Sequence, residues 1–130
     1  MAGYNPTVVG PYQETGAAIS NATFTTCGLI PSVNTPGPNA TVEIKGVLVI
    51  TAGTGVSNLE ITVNRGTSWT DPTVGAYMNQ AVVAGSKYVI PFDVADTPGD
   101  VAGESYSINV SGNGTATSSL IWSSIGAIVS

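Results

Sequence analysis

Three carboxylates, Asp93, Asp96 and Asp100, fall within eight residues around Pro98-Gly99, with Glu104 just beyond. Calcium takes about six to eight hard oxygen ligands, so a carboxylate-rich loop is suitable raw material. The spacing matches no EF-hand loop, however, and aspartate is a common turn former through its side-chain bonds to backbone N–H groups. Turn chemistry is therefore the stronger reading of these residues, with a cation site at Asp93, Asp96 and Asp100 the weaker one. Glycoside hydrolysis needs two carboxylates facing one cleft, and Glu43, Glu60 and Asp71 are isolated, with no aromatic-rich run beside them. The chain has no histidine, so a serine or threonine nucleophile lacks its usual base. Gly53-Thr54-Gly55 lacks the lysine and the following helix of a phosphate loop. Trp69, in the loop Thr67 to Asp71, and Trp122 could stack on a sugar. A loop tryptophan more often packs against a neighbour or an interface. The expectation is a protein that is not an enzyme and takes no cofactor.

Composition sharpens that expectation. The 130 residues carry 3 basic and 8 acidic side chains, a formal charge of −5. Charged residues are 8% of the chain, against roughly 25% in an ordinary soluble domain. Duplex binding rests on lysines and arginines that neutralise several phosphates, so no nucleic-acid partner is expected. One cysteine, Cys27, builds neither a zinc site nor an internal disulfide; a buried, inert thiol is its plainest reading. Met1 to Gly10 has neither the basic nor the apolar region of a secretory signal. No stretch approaches the roughly 20 apolar residues of a membrane span. The expectation is a chain without membrane association, either intracellular at synthesis or released by a route other than a signal peptide. Asn-x-Ser/Thr sequons stand at Asn21, Asn39, Asn109 and Asn113, a number that a chain rich in Ser and Thr produces by chance.

Strands must position whatever these residues do. Val (16), Ile (10) and Thr (16) outweigh Leu (4), and β-branched residues favour the pleated sheet. Gly 16 and Pro 8 punctuate the chain as an all-β sandwich or barrel requires. In Ala40 to Thr51, Val42 and Ile44 alternate with Glu43 and Lys45 until Gly46, which reads as a bulge or bend. Beyond it Val47 to Ile50 is apolar on both faces, which implies a covered sheet or a subunit contact. Ser57 to Arg65 alternates cleanly, Leu59, Ile61 and Val63 against Asn58, Glu60, Thr62 and Asn64. Ala81 to Ala84 and Lys87 to Asp93 read as a pair around Gly85-Ser86, with Pro91 placing the second at an edge or beside a bulge. Glu104 to Val110 alternates with Tyr106, Ile108 and Val110 inward, and Ser111 to Gly114 reads as a hairpin loop before a last strand pair or bent strand from Thr115 to Val129. Ala22 to Leu29 is a plausible strand, Pro31 to Asn39 a loop, and Met1 to Gly16 an extended arm or edge strand. The expected architecture is an antiparallel β-sandwich or jelly-roll barrel of about six to eight strands with an extended N-terminal arm. Residues 1–39 would form that arm plus a first strand, and residues 40–130 the sandwich, together one domain.

The order VEIKGVLVITAGT, LEITVNRGTSW, KYVIPFDVADTPGD and ESYSINVSGNGTATSSLIWSSIGAIVS resembles small jelly-roll modules of the TNF/C1q-like type in structural proteins of tailed phages and related viruses. The matching marks are Arg65-Gly66-Thr67 at a strand end, Asp96-Thr97-Pro98-Gly99 before the penultimate hairpin, Tyr106 in an alternating strand, and a final apolar strand. The likeness covers about residues 40 to 130. Proteins of this kind serve as capsid decoration (cement) proteins, head fibres and tail-fibre heads, usually as homotrimers.

The resemblance implies a virion protein made in a host cytoplasm and carried on the capsid surface, trimeric, bound to the major capsid lattice and stabilising it. The alternatives are a fibre head that recognises a cell-surface glycan through Trp69 and Asp71, and a jelly roll that itself forms the shell. Outer faces short of charge are consistent with cover by neighbours, since interface cores are depleted in charge. Contacts are expected from Tyr4, Val8, Val9 and Tyr12 in the arm and from Trp122, Ile125 and Ile128 in the last strand.

Overall fold

A computed structural model describes residues 6–130. The described residues form nine strands and no helix: β1 Thr7–Glu14, β2 Ala18–Ile19, β3 Thr25–Val33, β4 Val42–Thr51, β5 Asn58–Arg65, β6 Thr73–Ala81, β7 Lys87–Asp96, β8 Glu104–Gly112 and β9 Ser118–Val129. None of the described residues therefore forms a helix that could cross a membrane. One antiparallel sheet has the order β1-β9-β4-β7, with β2 also pairing β9, and the other the order β3-β8-β5-β6. From β3 onward the chain passes between the sheets at every step except β5 to β6. This is the double Greek key of a jelly roll.

Nine strands replace the expected six to eight because the first forty residues build both sheets. β1 and β2 lie along β9, and β3 pairs with β8. Of the two forms expected for the N-terminal segment, an extended arm or an edge strand, the described residues 7–14 take the edge strand. Its alternation was hidden by a register shift between Val9 and Tyr12, the site of Gly10 and Pro11. β3 likewise runs through Pro31 to Val33, where a loop was expected; as a sheet edge it tolerates the missing N–H.

The core lies between the sheets. Val42, Ile44, Leu48 and Ile50 of β4 face Leu59, Ile61 and Val63 of β5 and Tyr106, Ile108 and Val110 of β8, all buried. Each such aliphatic side chain contributes about 1.5–3 kcal/mol by leaving water. Gly46 is not a bulge. Its pairing with Phe92 and Ile125 runs unbroken, and it occupies an inward position where a Cβ would collide with the Ser124 carbonyl oxygen and meet the Phe92 ring. The real bulge lies in β9 at Ile121, because Val49 pairs with Trp122 and Ile50 with Leu120. The Gly85-Ser86 turn and the Ser111 to Gly114 loop are not hairpins either: β6 and β7, like β8 and β9, belong to different sheets. The same turn residues serve a sheet-to-sheet crossing as well as a ladder.

Candidate functional site

The outer face of the β1-β9-β4-β7 sheet is built by one register. Val49 of β4 has Trp122 of β9 on one side and Val89 of β7 on the other, and Val47 lies between Ser124 and Pro91. Val8 pairs with Ile128 at the β1 side. Val89 is 68% exposed and Val8 70% exposed. The outward positions of β4 and β7 in the middle of this sheet are thus apolar: Val47, Val49, Val89 and Pro91. An exposed contiguous apolar face of this kind marks an interaction surface.

Charge is distributed around that face unevenly. Glu43 and Lys45 of β4, and Lys87 and Asp93 of β7, share its outward side at the two ends of the apolar strip. Two cations and two carboxylates cancel there, so the formal −5 of the chain resides entirely elsewhere. The acidic excess outside this face opposes the approach of a second copy there, whereas this face carries no net charge.

The interface residues expected from sequence divide accordingly. Val8, Trp122 and Ile128 lie on the outer face, and Tyr12, 37% exposed, lies beyond the β1 register shift at the sheet edge. Ile125 is a correction: it is fully buried between the sheets, opposite Gly46, and cannot touch a partner. Val9 is partly buried and packs against the core opposite Ala127. The bulge at Ile121 sets this phase, which alternation alone could not reveal because residues 120 to 122 are all apolar. Tyr4 lies outside the described residues. Val89 and Ile121 were missed, although alternation against Ile90 and Phe92 already assigns Val89 to the face of Pro91.

The aspartates Asp93, Asp96 and Asp100 do not converge. Among the described residues no three His, Cys, Asp or Glu side chains gather as a metal site. Asp93 is exposed on β7 opposite Lys45, and Asp100 is exposed in the following loop. Asp96 instead receives two bonds from Arg65, Nε to Oδ2 at 2.8 Å and Nη2 to Oδ1 at 2.7 Å, and one from the Tyr106 hydroxyl at 2.7 Å. Burial opposes ionisation of Asp96, but the bonds from Arg65 and Tyr106 and the guanidinium charge outweigh it and hold the carboxyl below its ordinary value. Burial, reinforced by the bond to Asp96, raises the Tyr106 phenol. The Arg65 guanidinium is raised as well, chiefly by the same bond. This group is an ion pair joining the sheets.

The outer face of the second sheet carries a buried polar row, Thr62, Asn64, Ser107 and Asn109. Asn109 donates to Asn64 Oδ1 at 2.9 Å and Ser107 Oγ at 3.0 Å, and accepts from the Thr26 hydroxyl at 2.7 Å. The Thr62 hydroxyl has no partner among the described residues. Burial of Asn109 also removes its sequon from modification. The loop after β5 folds back over this row, held by bonds from Asn64 Nδ2 to the Asp71 carbonyl at 2.8 Å and the Trp69 carbonyl at 3.2 Å. The Asp71 carboxylate accepts the Ser68 N–H at 3.1 Å and fills the space above Gly66, whose φ of +134° suits glycine. Asp71 therefore shapes the loop. Trp69 is presented outward, 40% exposed. Cys27 is buried, and burial followed by the charge of Glu14 pushes its thiol up to about 12, which makes it a poor nucleophile.

No protein-family model and no curated protein matches the chain. Solved structures do. The chain is similar to the capsid protein in the infectious bursal disease virus particle, with a TM-score of 0.58 at 12% identity over 95% of this chain and 30% of that one. The VP2 subviral particle of the same virus gives 0.54 at 17% identity, covering 94% of this chain and 32% of the other. A VP2 mutant particle gives 0.56 at 15% identity, covering 94% and 31%. What is shared is the fold. The chain spans about 30% of the length of those capsid chains.

Proposed function

We propose that the chain is a structural component of a virus particle: a decoration (cement) protein, assembled as a homotrimer on the outside of the major capsid lattice and stabilising it. The observation that carries this reading is the net-neutral outer face of the β1-β9-β4-β7 sheet, with its apolar strip of Val47, Val49, Val89, Pro91 and Trp122, on a chain whose net charge lies elsewhere. The likeness of fold to particle-forming VP2 chains supports it. The ionised, paired state of Asp96 and the inert thiol of Cys27 favour a binding role over a catalytic one. Each contact made only in the assembled shell would add to its stability by mass action.

Copy number and capsid stability test the reading together. Particles lacking the protein should lose their contents at lower temperature than complete ones, with stoichiometric copies on the complete lattice. A few copies confined to one vertex or tail, or equal heat resistance without the protein, would overturn the cement role.

A further inference from the structure

Phe24, Trp69 and Tyr77 form an aromatic group on the molecule's second sheet, away from the proposed lattice contact. The Phe24 ring lies 5.4 Å from that of Trp69 and 6.1 Å from that of Tyr77, tilted by 31° and 39°. Phe24 supports the other two from below and is itself partly buried, while Trp69 and Tyr77 are 40% and 47% exposed. A pure lid over the polar row would hide its largest rings; here two keep a face in water.

The rim is hydroxyl and amide. Ser68 Oγ and Thr70 Oγ1 stand 3.0 Å apart beside Trp69, and Asn58 Nδ2 reaches Asn79 Oδ1 at 3.2 Å; Thr70 and Asn79 are exposed, Ser68 and Asn58 half-buried. Asn79 follows Tyr77 by two residues on β6 and so shares its face. Exposed rings with neutral donors and acceptors around them suit a ligand with apolar C–H faces and many hydroxyls.

Charge narrows the class. Lys45 and Lys87 are on the opposite sheet and Arg65 is engaged by Asp96, so no free cation among the described residues faces this group. Stacked single-stranded nucleic acid requires a positive groove. Anionic sugars would meet Glu60, outward on β5, and a chain of net charge −5. We infer that Trp69 and Tyr77, backed by Phe24, form a binding site for a neutral saccharide. The site does not depend on the capsid reading, and it would stand if that reading failed.

The test is a titration of the full chain with maltotriose, cellotriose, tri-N-acetylchitotriose, lactose and sialyllactose, followed by the two indole N–H signals in nuclear magnetic resonance. Trp122→Phe assigns them. At least one neutral sugar should move the Trp69 signal and leave that of Trp122 unmoved. Trp69→Ala should weaken binding at least tenfold and Tyr77→Ala severalfold, while Trp69→Tyr, which keeps a ring and the fold, retains most of it. Three results would overturn the site: no shift with any of the neutral sugars at tens of millimolar, binding undiminished in Trp69→Ala, or sialyllactose bound more tightly than lactose. A fall in oligomeric mass in Trp69→Ala without any sugar response also refutes it, and would make the rings a contact between copies.

Discussion

Arg65 at the end of β5 and Asp96 at the end of β7 join the two sheets through a two-point ion pair, 2.8 and 2.7 Å long. The Asp96 side chain is 10% exposed and that of Arg65 33%. Because Tyr106, the cross-strand neighbour of Arg65 on β8, bonds the same carboxylate, one end of the sandwich is closed by three strands at one acid.

Removing one partner leaves the other incompletely paired. Asp96→Ala should cost about 2–3 kcal/mol, below the 3–5 kcal/mol of a fully buried pair because water reaches Arg65. Tyr106→Phe should cost about 1–2 kcal/mol through the lost bond. Urea denaturation measures both, and a loss under 0.5 kcal/mol for Asp96→Ala would contradict the role assigned to the pair.

The same pair sets an acid limit. The Asp96 carboxyl is held below its ordinary value of 3.8 in the folded protein. Its contribution is therefore present above that value and lost as pH falls through the folded one, since the unfolded chain takes the proton first. The urea midpoint should change little from pH 7 to about 5 and drop below about 4, and the drop should shrink in Asp96→Asn. At the alkaline side Cys27 acts with opposite bounds. Its folded value of about 12 lies above the ordinary 9.0, so its contribution is present below pH 9.0 and fades above it. Thiol reagents at pH 8 should label Cys27 only after unfolding.

Two substitutions in one sheet separate face from core. Val89→Asp places a charge on an outward, 68% exposed position and should change monomer stability by no more than about 0.5 kcal/mol. It should nevertheless reduce the proposed trimer to monomers in light scattering. Ile125→Lys, at a fully buried position, should instead cost several kcal/mol and prevent folding. A Val89→Asp protein with unchanged mass would remove this face from assembly.

Gly46→Ala tests the close approach of β4 and β9. The added methyl meets the Ser124 carbonyl and the Phe92 ring, and overpacking of this kind costs about 1–3 kcal/mol. The thermal midpoint should fall by several degrees. An unchanged midpoint would mean that the strands part without strain.

The fold class and most of the inward residues are legible in the residue pattern. Val42, Ile44, Leu59, Ile61, Val63, Tyr106, Ile108 and Val110 alternate at period two, and burying one face forces that phase. The scarcity of charge is legible there too. Three things were decided only by tertiary structure. Which sheet a strand joins depends on crossings between layers, and the turns at Gly85 and Gly112 carry no mark that separates a crossing from a hairpin. Whether Ile125 or Ile128 faces outward depends on one extra residue at Ile121, set by pairing with β4 rather than by local preference. The grouping of Phe24, Trp69 and Tyr77 and the pairing of Arg65 with Asp96 join residues 45, 53 and 31 positions apart. Contacts at such separations arise from packing between strands, and local pattern does not encode them.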